Sequence, residues 1–303
     1  MGPGRLVAAL DAWYAEHARD LPWRRPEATA WGVVVSEFML QQTPVARVLP
    51  VWARWLERWP TPAALAAEPP GEAIRAWGRL GYPRRALRLH AAATEMVARH
   101  AGHVPTESQD LRALPGVGDY TAAAVAAFAH RQRTVVLDTN VRRVLGRLLR
   151  GDPRPRATGP TVAERAASAA ILPSDPEAAA AWSVALMELG ALVCTARSPR
   201  CGACPLQDSC RWYAAGWPGS DTASGRRQAY AGTDRQARGR LLAAIRDCHV
   251  SITRGRLETA WDQPGQRERA LASLLADGLV VAVGDDSYAL PGPPTDGHAV
   301  RCR

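Results

Sequence analysis

Four cysteines fall within seventeen residues of this chain: Cys194, Cys201, Cys204 and Cys210, in the pattern Cys-x6-Cys-x2-Cys-x5-Cys. Thiolates crowded in this way supply a complete ligand set, and either zinc or an iron–sulfur cluster accepts four of them. Cys248 and Cys302 stand apart, so the crowding points to metal rather than to a disulfide scaffold. Two carboxylates form a second group. Glu37 lies inside Trp31–Leu40, one of the most apolar stretches of the chain. Burial there raises a carboxyl pKa towards the range of a general acid, although a structural ion pair with an arginine would also account for it. Asp138 follows the apolar Val135–Leu137 and precedes the helical Val141–Leu149, where a plain helix N-cap is the alternative. A carboxyl kept protonated by burial and a second carboxylate left ionised could supply a general acid and a charge-stabilising anion.

Leu114-Pro115-Gly116-Val117-Gly118 separates a helical approach, Ser108–Ala113, from the helical run Thr121–His130. Two glycines let the backbone turn tightly and present N–H groups beside a helix start, which suits a phosphate as well as an ordinary helix–helix turn. The charge balance favours a polyanionic partner. Lys plus Arg is 38 against 29 acids, a net charge of +9. None of the 38 is lysine, so no side-chain amine is present to form a Schiff base.

The elements that must position these residues read as helices. Arg5–Glu16, Trp31–Gln41 and Val45–Trp59 carry apolar residues at helical spacing, with Pro and Gly punctuating the joins. Strand signals are nearly absent before residue 278, so an all-α body is expected over residues 1–215. Gly216–Arg227 opens a Gly- and Ser-rich linker, taken as 216–235. Over 236–303, the helical stretches Arg238–Asp247, Ile252–Trp261 and Gln266–Asp277 precede a hairpin, Leu279–Val283 with Ser287–Leu290. Helices followed by a hairpin suggest a small winged-helix-like (α+β) tail. No apolar run approaches the ~18–20 residues of a membrane span, and Leu6–Leu10 meets Asp11 before it could form a signal-peptide core. A cytoplasmic monomer with no membrane attachment is expected.

The cysteine spacing resembles the cluster loop of the endonuclease III superfamily of DNA glycosylases, and Leu114–Gly118 resembles their helix–hairpin–helix motif. The segment Ser36–Thr43 (SEFMLQQT) and Leu21-Pro22-Trp23-Arg24 are similar to signatures of MutY-type adenine DNA glycosylases. The resemblance spans about residues 5–213 and implies a two-lobed helix–hairpin–helix body. It implies a 4Fe–4S cluster on Cys194, Cys201, Cys204 and Cys210, with Arg197 and Arg200 facing DNA phosphates. It makes Glu37 the acid that protonates adenine and Asp138 the catalytic carboxylate, oriented by Tyr120 and by Asn140, the only asparagine in the chain. Trp23, Arg24 and Glu188 would line the base pocket. Leu40, Gln42 and Tyr82 would engage the duplex stack, and Gly116, Val117 and Gly118 its backbone. Tyr120 stands where the superfamily's glycosylase–lyases carry a lysine, which implies base release without strand cleavage.

The implied substrate is double-stranded DNA containing adenine opposite 8-oxoguanine or guanine. The residues beyond 227 are too few for the Nudix-like domain that many adenine glycosylases carry, as in the shorter actinobacterial forms. The tail arginines (Arg235, Arg238, Arg240, Arg246, Arg267, Arg269) either add duplex contacts or form a solvated face. Two alternatives remain. A thymine–guanine mismatch glycosylase would share the hairpin, Tyr120, Asp138 and the cluster, but resembles this chain less at Gln41-Gln42. A non-catalytic iron–sulfur DNA-binding regulator would leave Glu37 and Asp138 without a purpose.

Overall fold

The computed structural model describes residues 2–155, 159–218, 230–248 and 250–292, and among these residues the chain forms fifteen α-helices and three short strands. The described residues divide into two compact units. One draws on Met1–Val34, Thr106–Arg112 and Val117–Ser224, the other on Val35–Pro105, Ala113–Gly116 and Gly225–Arg303.

The first unit packs α1 (Pro3–His17) with α9 (Thr139–Leu145) and α11 (Pro176–Leu192). Leu6, Leu10 and Trp13 recur at three- and four-residue spacing, so α1 buries one stripe. They share a core with Val141, Val144 and Leu145 of α9 and Trp182, Leu186 and Leu189 of α11; Cys194, Cys204 and Cys210 pack against its edge. The cysteine loop and the helix that Asp138 caps therefore rest on one hydrophobic support. The expected helix Val141–Leu149 is α only to Leu145 and continues as a π-helical turn, Gly146–Arg150. α10 (Val162–Ile171) opens with a capping box of Thr161 and Glu164. Glu164 also pairs with the buried Arg142, through bonds of 3.1 Å from both Nε and Nη2.

The boundary between the units falls inside α2 (Ala30–Leu40). In the second unit, α3 (Val45–Arg58), α4 (Pro62–Ala66), α5 (Pro70–Trp77) and α6 (Arg84–Arg99) surround three buried indoles. Trp55 meets Trp59 at 4.7 Å and Trp77 at 5.7 Å, edge to face in both cases.

The tail belongs to this unit. It runs α13 (Asp234–Asp247), β1 (Ile252–Thr253), α14 (Arg254–Ala260), α15 (Pro264–Ala276), β2 (Val281–Val283) and β3 (Ser287–Ala289). The sheet order β1-β3-β2 is antiparallel, with Ile252 opposite Tyr288 and Val281 opposite Ala289. Helix, strand, two helices and a hairpin is the winged-helix sequence of elements. The expected helix Ile252–Trp261 loses its first two residues to the sheet, because Ile252 buries its β-branched side chain there instead. The tail seats on α5. Gly71 N–H donates to the Pro291 carbonyl at 2.8 Å, and a Cβ at residue 71 would stand 2.8 Å from both Leu290 Cβ and that oxygen. Most of the expected linker, 216–235, lies outside the described residues.

Candidate active site

Asp138 is the N-cap of α9 and more besides. Its Oδ1 accepts the Val141 N–H at 2.6 Å, the bond of an ordinary cap. Its Oδ2 accepts from Asn140 Nδ2 at 3.0 Å. Asn140 is fixed in turn by Arg143, whose Nη2 donates to Asn140 Oδ1 at 2.8 Å and to the Gly190 carbonyl at 2.7 Å. Arg143 Nε donates to the Cys194 carbonyl at 2.7 Å. Capping and orientation thus occupy different oxygens of one carboxylate. Burial pushes the Asp138 carboxyl above its usual range, opposed by the Val141 N–H, the Asn140 amide and the Arg143 charge. Gly190 is required for this geometry, since a Cβ there would lie 2.7 Å from Asn140 Cβ.

Tyr120, on the first turn of α8 (Asp119–Phe128), is partly buried against Ala124, Ala127 and Val136. Before it, the turn after α7 (Ser108–Ala113) places Gly116 at φ +83°. A Cβ on Gly116 would stand 2.8 Å from Arg88 Cβ and 2.9 Å from Phe38 Cε1, so conformation and space both demand glycine. Gly118 caps α8 with no side-chain bond and has nothing within 4 Å of an added Cβ. Val117 is buried between these two exposed glycines.

Cys194, Cys201, Cys204 and Cys210 all line one cavity, together with Arg147 and Trp212. Among the described residues, no set of three or more His, Cys, Asp or Glu side chains is arranged to hold a single metal ion. The donor set nevertheless fits a cluster. Burial, together with repulsion from the other three sulfurs, pushes the Cys204 thiol up to about 12. Four thiolates so crowded need a cationic core between them. Arg147 Nη1 donates to Cys194 Sγ at 3.3 Å and to the Thr195 carbonyl at 2.9 Å, while its guanidinium lies 4.2 Å from the Trp212 ring centre. Arg197 is exposed, and Arg200 donates to the Leu192 carbonyl at 2.5 Å.

Glu188 is fully buried on α11. Its Oε1 accepts from the Arg19 N–H at 3.1 Å and Arg19 Nε at 2.6 Å; its Oε2 accepts from Arg19 Nη2 and Arg24 Nη1, both at 2.8 Å. Burial pushes this carboxyl up, but the two arginines outweigh burial and hold it at about 2. Trp23 is buried beside Arg24, on a short 3-10 turn, Pro22–Arg24. Each carboxylate oxygen already carries two donors, so Glu188 holds Arg24 in place with little acceptor capacity to spare.

Glu37 belongs to the second unit, on α2, and is 5% exposed. Leu40 closes the same helix, half-buried. Gln42 and Tyr82 are exposed, and both hold left-handed backbone, at φ +58° and +48°. The sequence reading missed Arg19, Arg143, Arg147 and Gly190. In a chain with 38 arginines, nothing in the residue type marks these three.

A fold of this kind, with the hairpin and the cysteine loop in order, defines a base excision DNA glycosylase of the helix–hairpin–helix class. Residues 35–169 match the HhH-GPD superfamily of base excision DNA repair proteins, and 194–210 match the iron–sulfur binding domain of endonuclease III. The chain is 55% identical over 284 residues to an adenine DNA glycosylase of Mycobacterium tuberculosis, covering 93% of this chain and 92% of the relative. A thymine-DNA glycosylase of Aeropyrum pernix is 36% identical over 218 residues, which is 69% of this chain and 96% of that one. The solved structure of a thermostable thymine-DNA glycosylase superposes with a TM-score of 0.64 at 23% identity, covering 70% of this chain and 97% of that one. The chain belongs to the MutY-type adenine DNA glycosylases, and its cysteine loop is a 4Fe–4S site. No helix among the described residues is long and apolar enough to cross a membrane.

Proposed function

We infer that this enzyme excises adenine mispaired with 8-oxoguanine or guanine in double-stranded DNA, and that it does so as a monofunctional glycosylase. The observation that carries this reading is the Asp138 carboxylate, with one oxygen held by Val141 N–H and the other by Asn140, in a chain that has no lysine. An aspartate so fixed can stabilise a sugar cation, and no side-chain amine is present to open the sugar.

Arg, Gly and backbone N–H groups of the hairpin and cysteine loop hold duplex phosphates, and Gln42 and Tyr82 enter the stack as the adenine is turned out, at a cost of a few kcal/mol. Glu37 gives its proton to a ring nitrogen of the base. The N-glycosidic bond breaks with its electron pair passing to the base, and Asp138 stabilises the sugar cation left behind. Water then adds to the anomeric carbon, and its proton passes to Glu37. Cys194, Cys201, Cys204 and Cys210 would hold the 4Fe–4S cluster, whose contribution would be to tie their loop together for DNA docking.

Glu37→Gln tests the acid directly. Single-turnover base release on an adenine:8-oxoguanine duplex is expected to vanish, with duplex affinity retained. Undiminished release would remove Glu37 from the mechanism. The sister activity, release of thymine opposite guanine, is measured beside it. Thymine release faster than adenine release would reassign the substrate.

A further inference from the structure

Arg85 opens α6 and is 5% exposed, and five acceptors converge on its guanidinium. Nη1 donates to the carbonyls of Phe38 (2.8 Å), Met39 (3.0 Å) and Gln41. Nη2 donates to Thr43 Oγ1 at 2.8 Å and to the Gly81 carbonyl at 3.1 Å. The guanidinium carbon lies 5.3 Å from the ring centres of both Trp77 and Tyr82. Among the described residues its partners are carbonyls, a hydroxyl and ring faces. Two of those carbonyls, Phe38 and Met39, lie in the last turn of α2, the negative end of a helix dipole, which suits a cation without a carboxylate. Burial lowers its pKa only to about 10, so the group stays charged at neutral pH.

The other three partners fall in two loops. Gln41 and Thr43 flank Gln42, and Gly81 precedes Tyr82. Gln42 and Tyr82 are two of the few non-glycine residues with positive φ. Such backbone costs about 1–3 kcal/mol per residue and persists only where surrounding bonds hold it. Two further bonds join the same loops: Thr43 Oγ1 donates to the Leu80 carbonyl at 3.3 Å, and Arg47 Nη2 to the Arg79 carbonyl.

We propose that Arg85 is a positioning residue that locks the Gln41–Thr43 and Gly81–Tyr82 loops together, so that the Gln42 and Tyr82 side chains meet the duplex as one rigid, two-pronged wedge. This rests on the reading above that both residues enter the stack, and deepens it. Each prong stands on a left-handed residue in a turn, a conformation that its own backbone does not favour. One planar fork reaching both loops fixes their spacing before DNA arrives, and the ordering cost is then met on folding rather than on binding. The consequence is selective. The wedge matters where a stacked adenine must be displaced, and matters little where the adenine is already unstacked.

The test compares Arg85→Gln, Arg85→Lys and the wedge-less Gln42→Ala/Tyr82→Ala protein, each as full-length, cluster-loaded enzyme. Single-turnover release is measured from adenine opposite 8-oxoguanine and from adenine in a single-base bulge. Arg85→Gln is expected to slow the mispair about ten- to a hundredfold and leave the bulge near the wild-type rate. Arg85→Lys, which keeps the charge but cannot fork to both loops, is expected to fall between; it also stands in if the Gln variant does not fold. Adding Arg85→Gln to the wedge-less protein is expected to cost nothing more. Equal slowing on both substrates, or multiplicative losses in the combined variant, overturns the proposal alone. A wedge-less protein with the wild-type mispair rate removes Gln42 and Tyr82 from the stack, and the proposal with them.

Discussion

Arg143→Gln separates catalytic positioning from bulk stability. The guanidinium makes three bonds of 2.7–2.8 Å, to Asn140 Oδ1 and to the Gly190 and Cys194 carbonyls. Hydrogen bonds to a charged group contribute about 1.5–3 kcal/mol each, and glutamine can replace one of them at most with good geometry. A loss of roughly 3–6 kcal/mol follows, or a fall in Tm on the order of 10 °C at about 2–4 °C per kcal/mol. The second effect is electrostatic. The Arg143 charge is one of the groups that holds the Asp138 carboxyl down against burial, so its removal moves that carboxyl further up. A carboxyl raised on folding works against the folded state. The cost is absent below the unfolded value of 3.8 and grows as pH rises through the folded pKa, and the variant carries the larger cost. The assay is single-turnover base release against pH, beside thermal unfolding. The acid limb, where Asp138 loses its charge, is expected to shift to higher pH in Arg143→Gln. The control is Arg142→Gln, which breaks the buried pair with Glu164 and destabilises comparably without touching Asn140. If both variants lose stability but share the wild-type acid limb, Arg143 does not act on Asp138 and the reasoning fails.

Gly190→Ala drives a Cβ to 2.7 Å from Asn140 Cβ. A stability loss of about 1–3 kcal/mol is expected, with a fall in base release larger than denaturant unfolding explains. For Glu188→Gln, the wild-type carboxyl sits at about 2 instead of 4.5, so the variant is expected to lose about 3 kcal/mol at pH 7. That difference is full above pH 4.5 and shrinks as pH falls towards 2, and chemical denaturation across that range reads it; a pH-independent difference would refute the ion-pair account. Borohydride added during turnover is expected to trap no substantial covalent DNA adduct, because the chain has no lysine whose amine could form an imine with the sugar.

What the sequence by itself determined is chemistry whose partners lie nearby along the chain. Cysteine spacing announces a metal loop, and the two glycines of Leu114–Gly118 announce a sharp turn, which Gly116 confirms at φ +83°. Asp138 before Asn140 and Val141 is a local arrangement too, with partners two and three residues away. The all-helical body and the C-terminal hairpin followed from periodicity, while β1 escaped because two residues carry no period. The tail arginines were ambiguous because a cation gives no sign of its partner along the sequence. Arg238, Arg267 and Arg269 pair with Asp277, Glu258 and Asp234, and Arg246 donates to the Gly78 carbonyl at 2.6 Å, so four of them serve the fold.

Only the tertiary structure decided which guanidinium holds what. Arg19 reaches Glu188 across 169 positions, Arg143 reaches Gly190 across 47, and Arg85 reaches Phe38 across 47. A long cationic side chain looks alike at every position in a sequence. Its role is fixed by which buried carbonyls and carboxylates the folded backbone brings within about 3 Å, since leaving any of them unpaired away from water costs more than most single contacts contribute.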